Sequence, residues 1–369
     1  LKTFVRILSS AILIVTFSAL SSQAQTRQRN ELTLVANQSS NNLSVYQIRS
    51  NGALRAVPGS PFATGGAPNS IAVVASGRFA YVADTAPGSI SGYNIDQNGV
   101  LTPVPGSPFP AVDGTAFVII DPSGRFLYAL NCGGVCSGSG SGNIEAYTID
   151  QQTGVLIPMA GSPFAAGQSP FAIAVDPTGH FAYVANFESG DVFAYSIDSQ
   201  TGALTQIGAP IAAGTLPLSI VVDPWGQFVY TANTASGDIS AFAINFDGSL
   251  RTVVGSPFAA GNATAGVATS SNGKFLIAAA GDGAFVYSID NTGALHLQAG
   301  SPVAAGVGPN GISIDPSDNF VYIVNAGSGN VSAYRFNDQN GNVMPLTKSP
   351  FPAGSFSAGI TTAPAPTHQ

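Results

Sequence analysis

A short marker, Gly-Ser-Pro-Phe or a close variant, recurs along the chain and restricts its fold more than any other feature. It begins at Gly59, Gly106, Gly161, Gly208 (as Gly-Ala-Pro-Ile), Gly255, Gly300 (as Gly-Ser-Pro-Val) and Lys348 (as Lys-Ser-Pro-Phe), at spacings of 47, 55, 47, 47, 45 and 48 residues. A period of this length means that each unit is one supersecondary element that buries its apolar faces against its neighbours. The 55-residue interval contains Cys132 and Cys136, so its excess of about eight residues is a loop insertion.

The best-formed unit covers residues 171–214. It contains four short apolar runs, FAIAV (171–175), FAYVA (181–185), VFAYSI (192–197) and LTQIG (204–208). Asp-Pro-Thr-Gly, Asn-Phe-Glu-Ser-Gly-Asp and Asp-Ser-Gln-Thr-Gly stand between them, which is turn chemistry, so the unit reads as four antiparallel strands. The same columns return elsewhere: LTLVAN (32–37), FAYVAD (79–84), FLYALN (126–131), FVYTAN (228–233), FLIAAA (275–280) and FVYIVN (320–325) are all second strands. The chain enters the repeat on a second strand and leaves, after the last marker, on a first-strand-like segment at 358–363. That offset suits a ring whose last blade is shared by both chain ends, a closure that hides the sheet edges. The expected fold is therefore all-β: a seven-bladed β-propeller of four antiparallel strands per blade over residues 31–364, with 25–30 a linker and 365–369 a tail.

Composition excludes several functions. The 369 residues carry 12 Lys+Arg against 19 Asp+Glu, a formal net charge of -7, and only 8% are charged. No basic patch is visible, so nucleic acid is not an expected partner. After the first two dozen residues no apolar run approaches the ~20 residues that cross a bilayer. At the N-terminus, Lys2 and Arg6 precede an apolar segment at 7–20, and Ser22 and Ala24 suit cleavage after Ala24. Residues 1–24 thus read as a signal peptide, with a retained anchor as the alternative. Export leads to a secreted or periplasmic protein, with no membrane attachment after cleavage. In such a compartment Cys132 and Cys136, in Asn-Cys-Gly-Gly-Val-Cys, read as a small disulfide. A metal site is the weaker alternative, because no His is near.

Most residues of chemical type fall in repeat columns and so read as scaffold. All 11 Tyr lie in the second or third strand of a unit. Asp121, Asp176, Asp223 and Asp315 each precede Pro in the turn after a first strand, where Asp caps the turn. No cofactor is called for. Calcium stays open at two Asp/Asn/Gly turns, beginning at Asp96 and Asp338, which also stand where hairpin turns are due. His180, His296 and His368 are too far apart in the repeat to share a metal or serve a nucleophile. The residues that depart from their columns are Asp84, where sister units have Asn, Asp113 in a linker, and Phe187-Glu188 in the loop after a second strand. Asp84, Asp113, Phe187 and Glu188 are accordingly the ligand-binding candidates on one propeller face, and no catalytic set is evident. The expected partner is a small molecule, glycan or protein at that face, and the expected state is a monomer.

The units resemble YVTN-type repeats and the lactonase-like seven-bladed propellers that include the 6-phosphogluconolactonase-type enzymes. The likeness is carried by Asp-Pro-x-Gly-x-Phe-x-Tyr-Val-Ala-Asn (176–186), Gly-Asp-Val-x-x-Tyr-x-Ile-Asp (190–198) and Thr-Gly-x-Leu (201–204). It implies lactone hydrolysis, with a Pro-His pair heading the channel-lining strands and Arg and Glu reaching the channel. Here the pairs are Pro68-Asn69, Pro170-Phe171, Pro217-Leu218 and Pro309-Asn310, with no His among them. Sequence alone therefore favours a binding or interaction scaffold of this family, with a lactone hydrolase using the loop acids as the alternative.

Overall fold

In a computed structural model that describes residues 31–133 and 141–367, the repeat becomes seven antiparallel sheets. Blade 1 combines both ends of the described chain: Ser357–Pro364 is its inner strand and pairs antiparallel with Glu31–Asn37, which pairs in turn with Asn42–Ile48. Blades 2 to 7 come in chain order, their inner strands being Pro68–Val73, Thr115–Ile120, Pro170–Val175, Pro217–Val222, Gly266–Thr269 and Pro309–Ile314. The seven-bladed ring and its shared closing blade are as the sequence predicts. The chain leaves the last sheet at Pro364, but Ala365 is still buried against blades 1 and 2, so the first residue of the expected tail belongs to the core. The proposed signal peptide (1–24), the linker, Cys136 and His368 lie outside the described residues.

The core consists of seven clusters, each shared by two adjacent blades. A blade is thus apolar on both faces, which explains second strands such as Phe126–Asn131 that are buried at every residue. The cluster joining Val35, Tyr46 and Leu54 of blade 1 to Phe320, Tyr322 and Val324 of blade 7 closes the ring.

Both Tyr columns tie blade to blade. In second strands the hydroxyl donates to a turn glycine of the following blade, as from Tyr81 to Gly154 O (2.7 Å), Tyr128 to Gly202 O (2.8 Å) and Tyr322 to Gly52 O (2.9 Å). In third strands it donates back to the linker before its own blade, as from Tyr195 to Ala165 O and Tyr334 to Ala304 O, both 2.8 Å. The turn acids are internal too: Asp121 Oδ1 accepts the Arg125 and Phe126 amides, and Asp176 Oδ1 those of His180 and Phe181.

The marker has a definite job. In blade 1 the outer strand Leu54–Ala56 pairs with the end of the third strand, and Phe62–Ala63 then pairs with its beginning. Between them residues 57–61 leave the ladder, with Gly59 at φ +82°, and the serine fills the gap: Ser60 Oγ accepts the Val45 amide at 2.9 Å. Ser107, Ser162 and Ser256 accept the Gly92, Ala146 and Ala241 amides in the same way, each at 2.9 Å. Blade 4 has Ala209 instead of the serine, and there the outer strand is one element, Leu204–Ala212, with Ala194 paired directly with Ile207 and residues 208–210 left as a bulge between Ile207 and Ile211. The marker is therefore a looped-out segment of the fourth strand that returns to the sheet, rather than a turn beyond the strand's end.

Candidate functional site

The inner strands surround a central channel, and their first residues form its mouth. In five blades the second residue of the inner strand is an unpaired β-bulge: Asn69 stands between the pairs Pro68–Asp84 and Ser70–Ala83, and Ala116, Phe171, Leu218 and Ala358 hold the same place. Blade 7 has a similar irregularity after Pro309, which takes in Asn310. A bulge breaks the in–out alternation of a strand and re-aims one side chain. Repeated around the ring, it supplies a circle of side chains free of ladder duty.

All of these bulge residues except Ala116 line a cavity of about 380 Å³. Two arcs differ in character. Asn310, Gln38 and Asn69, from blades 7, 1 and 2, give a carboxamide arc, while Phe117, Phe171 and Leu218, from blades 3 to 5, give an apolar arc. The Asn69 amide is tied to Ala116 O at 2.8 Å, whereas Asn310 has no side-chain hydrogen-bond partner among the described residues. On the carboxamide side the inner strands approach closely: a Cβ on Gly359 would stand 2.4 Å from Asn69 O and one on Gly266 2.5 Å from Asn310 O. Among the described residues, no Asp, Glu, His, Lys or Arg lines the cavity.

The backbone just before each inner strand is left-handed throughout. Gly114 and Gly308 take this conformation at little cost, but Ala67, Ser169, Leu216, Ala263 and Phe356 also adopt it, with φ between +46° and +56°. Phe356 combines that strain with 49% exposure while lining the cavity. A half-exposed aromatic ring held on a left-handed residue at the cavity rim is a strained feature of the kind that gathers at binding sites.

The predicted site residues distribute unevenly around this mouth. Phe187 packs its ring on Phe171, centroids 5.7 Å apart, and so backs the apolar arc. Glu188 and Asp113 are exposed loop residues, and neither lines the cavity. Asp84 is fully buried within blade 2, where Oδ2 accepts Ser91 Oγ (2.6 Å) and the Gly65 amide (3.2 Å). It occupies the Asn column and joins linker to third strand as those asparagines do, rather than facing a ligand. The three acids are not brought together. Cys132 is buried and disulfide-bonded, and its expected partner falls outside the described residues. In the Asp96 turn the carboxylate accepts the Asn98 and Val100 amides at 2.8 Å, serving its own hairpin.

Sequence comparison of the columns missed three contributors to the lining, Phe356, Gln38 and Phe117, and a buried acid in the loop region nearby, Glu145. Phe356 had a usable signal, because it is the one aromatic in a column otherwise made of Gly, Ala, Ser and Leu. Glu145 lies on the third strand of blade 3 and accepts the Val112 amide at 3.2 Å, beside the linker that carries Asp113. Burial pushes its carboxyl up, and the Val112 amide and the Tyr147 hydroxyl only partly offset this.

Comparison with known proteins places this architecture. The family described as "Lactonase, 7-bladed beta-propeller" matches residues 132–256 and 251–357. No curated protein sequence matches the chain. Among solved structures, a putative 6-phosphogluconolactonase from Bacteroides uniformis superposes with a TM-score of 0.75 at 17% identity, covering 91% of this chain and 100% of that one. A periplasmic gluconolactonase from Pseudomonas aeruginosa gives 0.74 at 17% identity, covering 91% and 99%. A functionally unknown protein from Desulfotomaculum acetoxidans gives 0.72 at 16% identity, covering 90% and 99%. At these identities the likeness is one of fold.

Proposed function

The chain belongs to the lactonase family of seven-bladed β-propellers, and on that premise we propose that its channel mouth takes an uncharged cyclic ligand of the sugar-lactone class. The carrying observation is the division of the mouth into a carboxamide arc and a phenyl-lined arc with no ionisable group in the lining. A pyranose-like ring has hydroxyl and carbonyl edges that amides can pair with and C–H faces that rest on aromatic rings. Asn310 offers an unengaged amide, Asn69 a held one, and Phe171, supported by Phe187, offers a platform. A phosphorylated lactone would find no cation in this lining.

The fate of the bound ligand is read in two ways. The lining favours retention without hydrolysis, since none of its side chains can take a proton from water near neutral pH. Family membership favours hydrolysis, and supports it more strongly than it supports a scaffold role. Hydrolysis would recruit Asp113 or Glu188 from the surrounding loops as general base. The protein is placed in the periplasm or outside the cell, as the N-terminal sequence suggests. The test is glucono-δ-lactone hydrolysis against the spontaneous rate, together with calorimetric titration of the corresponding lactam, which does not hydrolyse. Saturable lactam binding that falls at least tenfold in Asn310→Ala and Phe171→Ala supports the mouth as the site. A lactone rate above background that is lost in Asp113→Ala/Glu188→Ala selects hydrolysis, and no rate selects retention. Absence of both binding and turnover sinks the proposal.

A further inference from the structure

The seam between blades 1 and 7, away from the channel mouth, breaks the repeat at three columns at once. The residue just before the first position of the second-strand column is Arg78, Arg125, His180, Gln227, Lys274 or Asn319 in blades 2 to 7, never an acid, but in blade 1 it is Glu31. The residue that ends the third strand and caps the next turn is Asp or Asn in the other blades, and in blade 1 it is Arg49. The column of Gln47, Asn94, Thr148, Ser196, Ala243 and Ser288 is uncharged, and in blade 7 it holds Arg335. These three residues border one pocket of about 340 Å³, with Ser50, Ser317 and Asn319. Arg335 also borders the adjoining pocket, whose lining includes Lys348. Three of the eight Lys and Arg among the described residues therefore meet at one seam of an acidic protein.

The arginines there are uncommitted. Arg78 and Arg125, each stacked on the Phe of its own blade, spend their guanidinium groups on carbonyls of the next blade's turn. Arg335 is stacked on Phe320 in a similar way, but neither it nor Arg49 has a hydrogen-bond acceptor or a carboxylate partner among the described residues. Ser317 donates its hydroxyl to Asp315 and Asn319 its amide to Ser317, so the two free guanidinium forks, with Ser50 beside them, are what would make an oxyanion receptor.

We propose that the blade 1–blade 7 seam is a binding site for a small oxyanion of the phosphate class, held by Arg49 and Arg335. Glu31 sets its pH dependence. Burial, and then the adjacent Asp315 carboxyl, push Glu31 up to about 7, so it is largely protonated at pH 6 and charged at pH 8. The groups around it are Asp315, Arg49, Arg335 and the Tyr322 hydroxyl. A charged Glu31 opposes a bound anion, so affinity falls as pH rises.

The experiment is calorimetric titration of the full chain with inorganic phosphate and with glycerol phosphate at low ionic strength. A second series uses sulfate at pH 6 and pH 8, because the charge of sulfate is constant over that range. Expected are saturable one-site binding, at least tenfold loss in Arg49→Ala/Arg335→Ala, no change in Arg125→Ala, and a pH dependence that disappears in Glu31→Gln. All the substituted side chains are at least partly exposed, and a melting curve checks that each variant folds. Preference for glycerol phosphate assigns a phosphomonoester, and equal or weaker binding of it assigns the free ion. No saturable binding, or equal loss in Arg125→Ala, overturns the site.

Discussion

Replacing Asp84 by asparagine should stabilise this protein, and the gain should depend on pH. Asp84 is fully buried, Oδ2 satisfies the Ser91 hydroxyl and the Gly65 amide, and Oδ1 has no partner at hydrogen-bonding geometry. The sister residues show what an amide does in this place. Asn37, Asn233 and Asn325 each donate Nδ2 to a third-strand serine at 2.9 Å, and Asn37 and Asn325 accept a linker glycine amide on Oδ1. Ser91 and Gly65 supply the same two partners in blade 2, so an asparagine there would be satisfied where Asp84 is not. An unsatisfied buried polar group costs on the order of 1–3 kcal/mol, and a gain in this range raises Tm by roughly 2–4 °C per kcal/mol in a domain of 150–250 residues, less in one this size. Burial raises the Asp84 carboxyl above its ordinary value, and the opposing pull of Ser91, Gly66, Gly65 and Thr64 does not cancel it. A raised acid binds its proton more tightly in the folded state, so wild-type stability declines as pH rises from the unfolded value through the folded one. The variant should therefore match wild type near pH 4 and exceed it at pH 8. Urea melts of both proteins at the two pH values decide the matter. Equal midpoints at pH 8, or a variant weaker than wild type there, would refute the reasoning.

The same geometry sets three other outcomes. Ser256→Ala removes the acceptor of the Ala241 amide and should cost about 1 kcal/mol in chemical denaturation, whereas Ala209→Ser in blade 4, where Ala194 already pairs with Ile207, should gain nothing. Phe356→Gly relieves a left-handed residue, worth about 1–2 kcal/mol, but gives up a half-buried ring of similar worth. Stability should therefore change by less than about 1 kcal/mol while lactam binding weakens, which calorimetry and thermal melts can read on one sample. Tyr322→Phe takes a hydroxyl off the Gly52 carbonyl at the closing seam and should cost about 1 kcal/mol, measured as a shift in urea midpoint with unchanged m.

The fold was legible because a propeller writes each structural duty seven times. The columns alone assign the Tyr hydroxyls and the Asp-Pro turns to the scaffold, and the hydrogen bonds of Tyr81, Tyr128 and Asp176 bear that out. The marker was read only as punctuation, since nothing in Gly-Ser-Pro-Phe says that a serine hydroxyl will stand in for a missing ladder partner. That becomes visible on comparing blade 4, where the serine is absent and Ala194 pairs with Ile207 instead.

The site was harder to read for the complementary reason. Departure from a column identifies a residue with a duty of its own, but not whether that duty faces inward or outward. Asp84 departs and points into the blade, where Ser89 and Ser91 surround it. Phe187 departs and backs the mouth through Phe171. The mouth itself is built from a position at which the blades are free to differ, because the bulge after the first inner-strand residue takes that side chain out of the ladder. If the mouth is the proposed site, variation there would carry ligand specificity, and Asn69, Phe171, Leu218, Asn310 and Ala358, read around the ring, would be its most compact record. Their order sets carboxamides on one side and apolar groups on the other, so exchanging Asn310 and Leu218 should abolish lactam binding while leaving the melting curve nearly unchanged. If binding survives that exchange, the ligand is not read by the bulge ring at all.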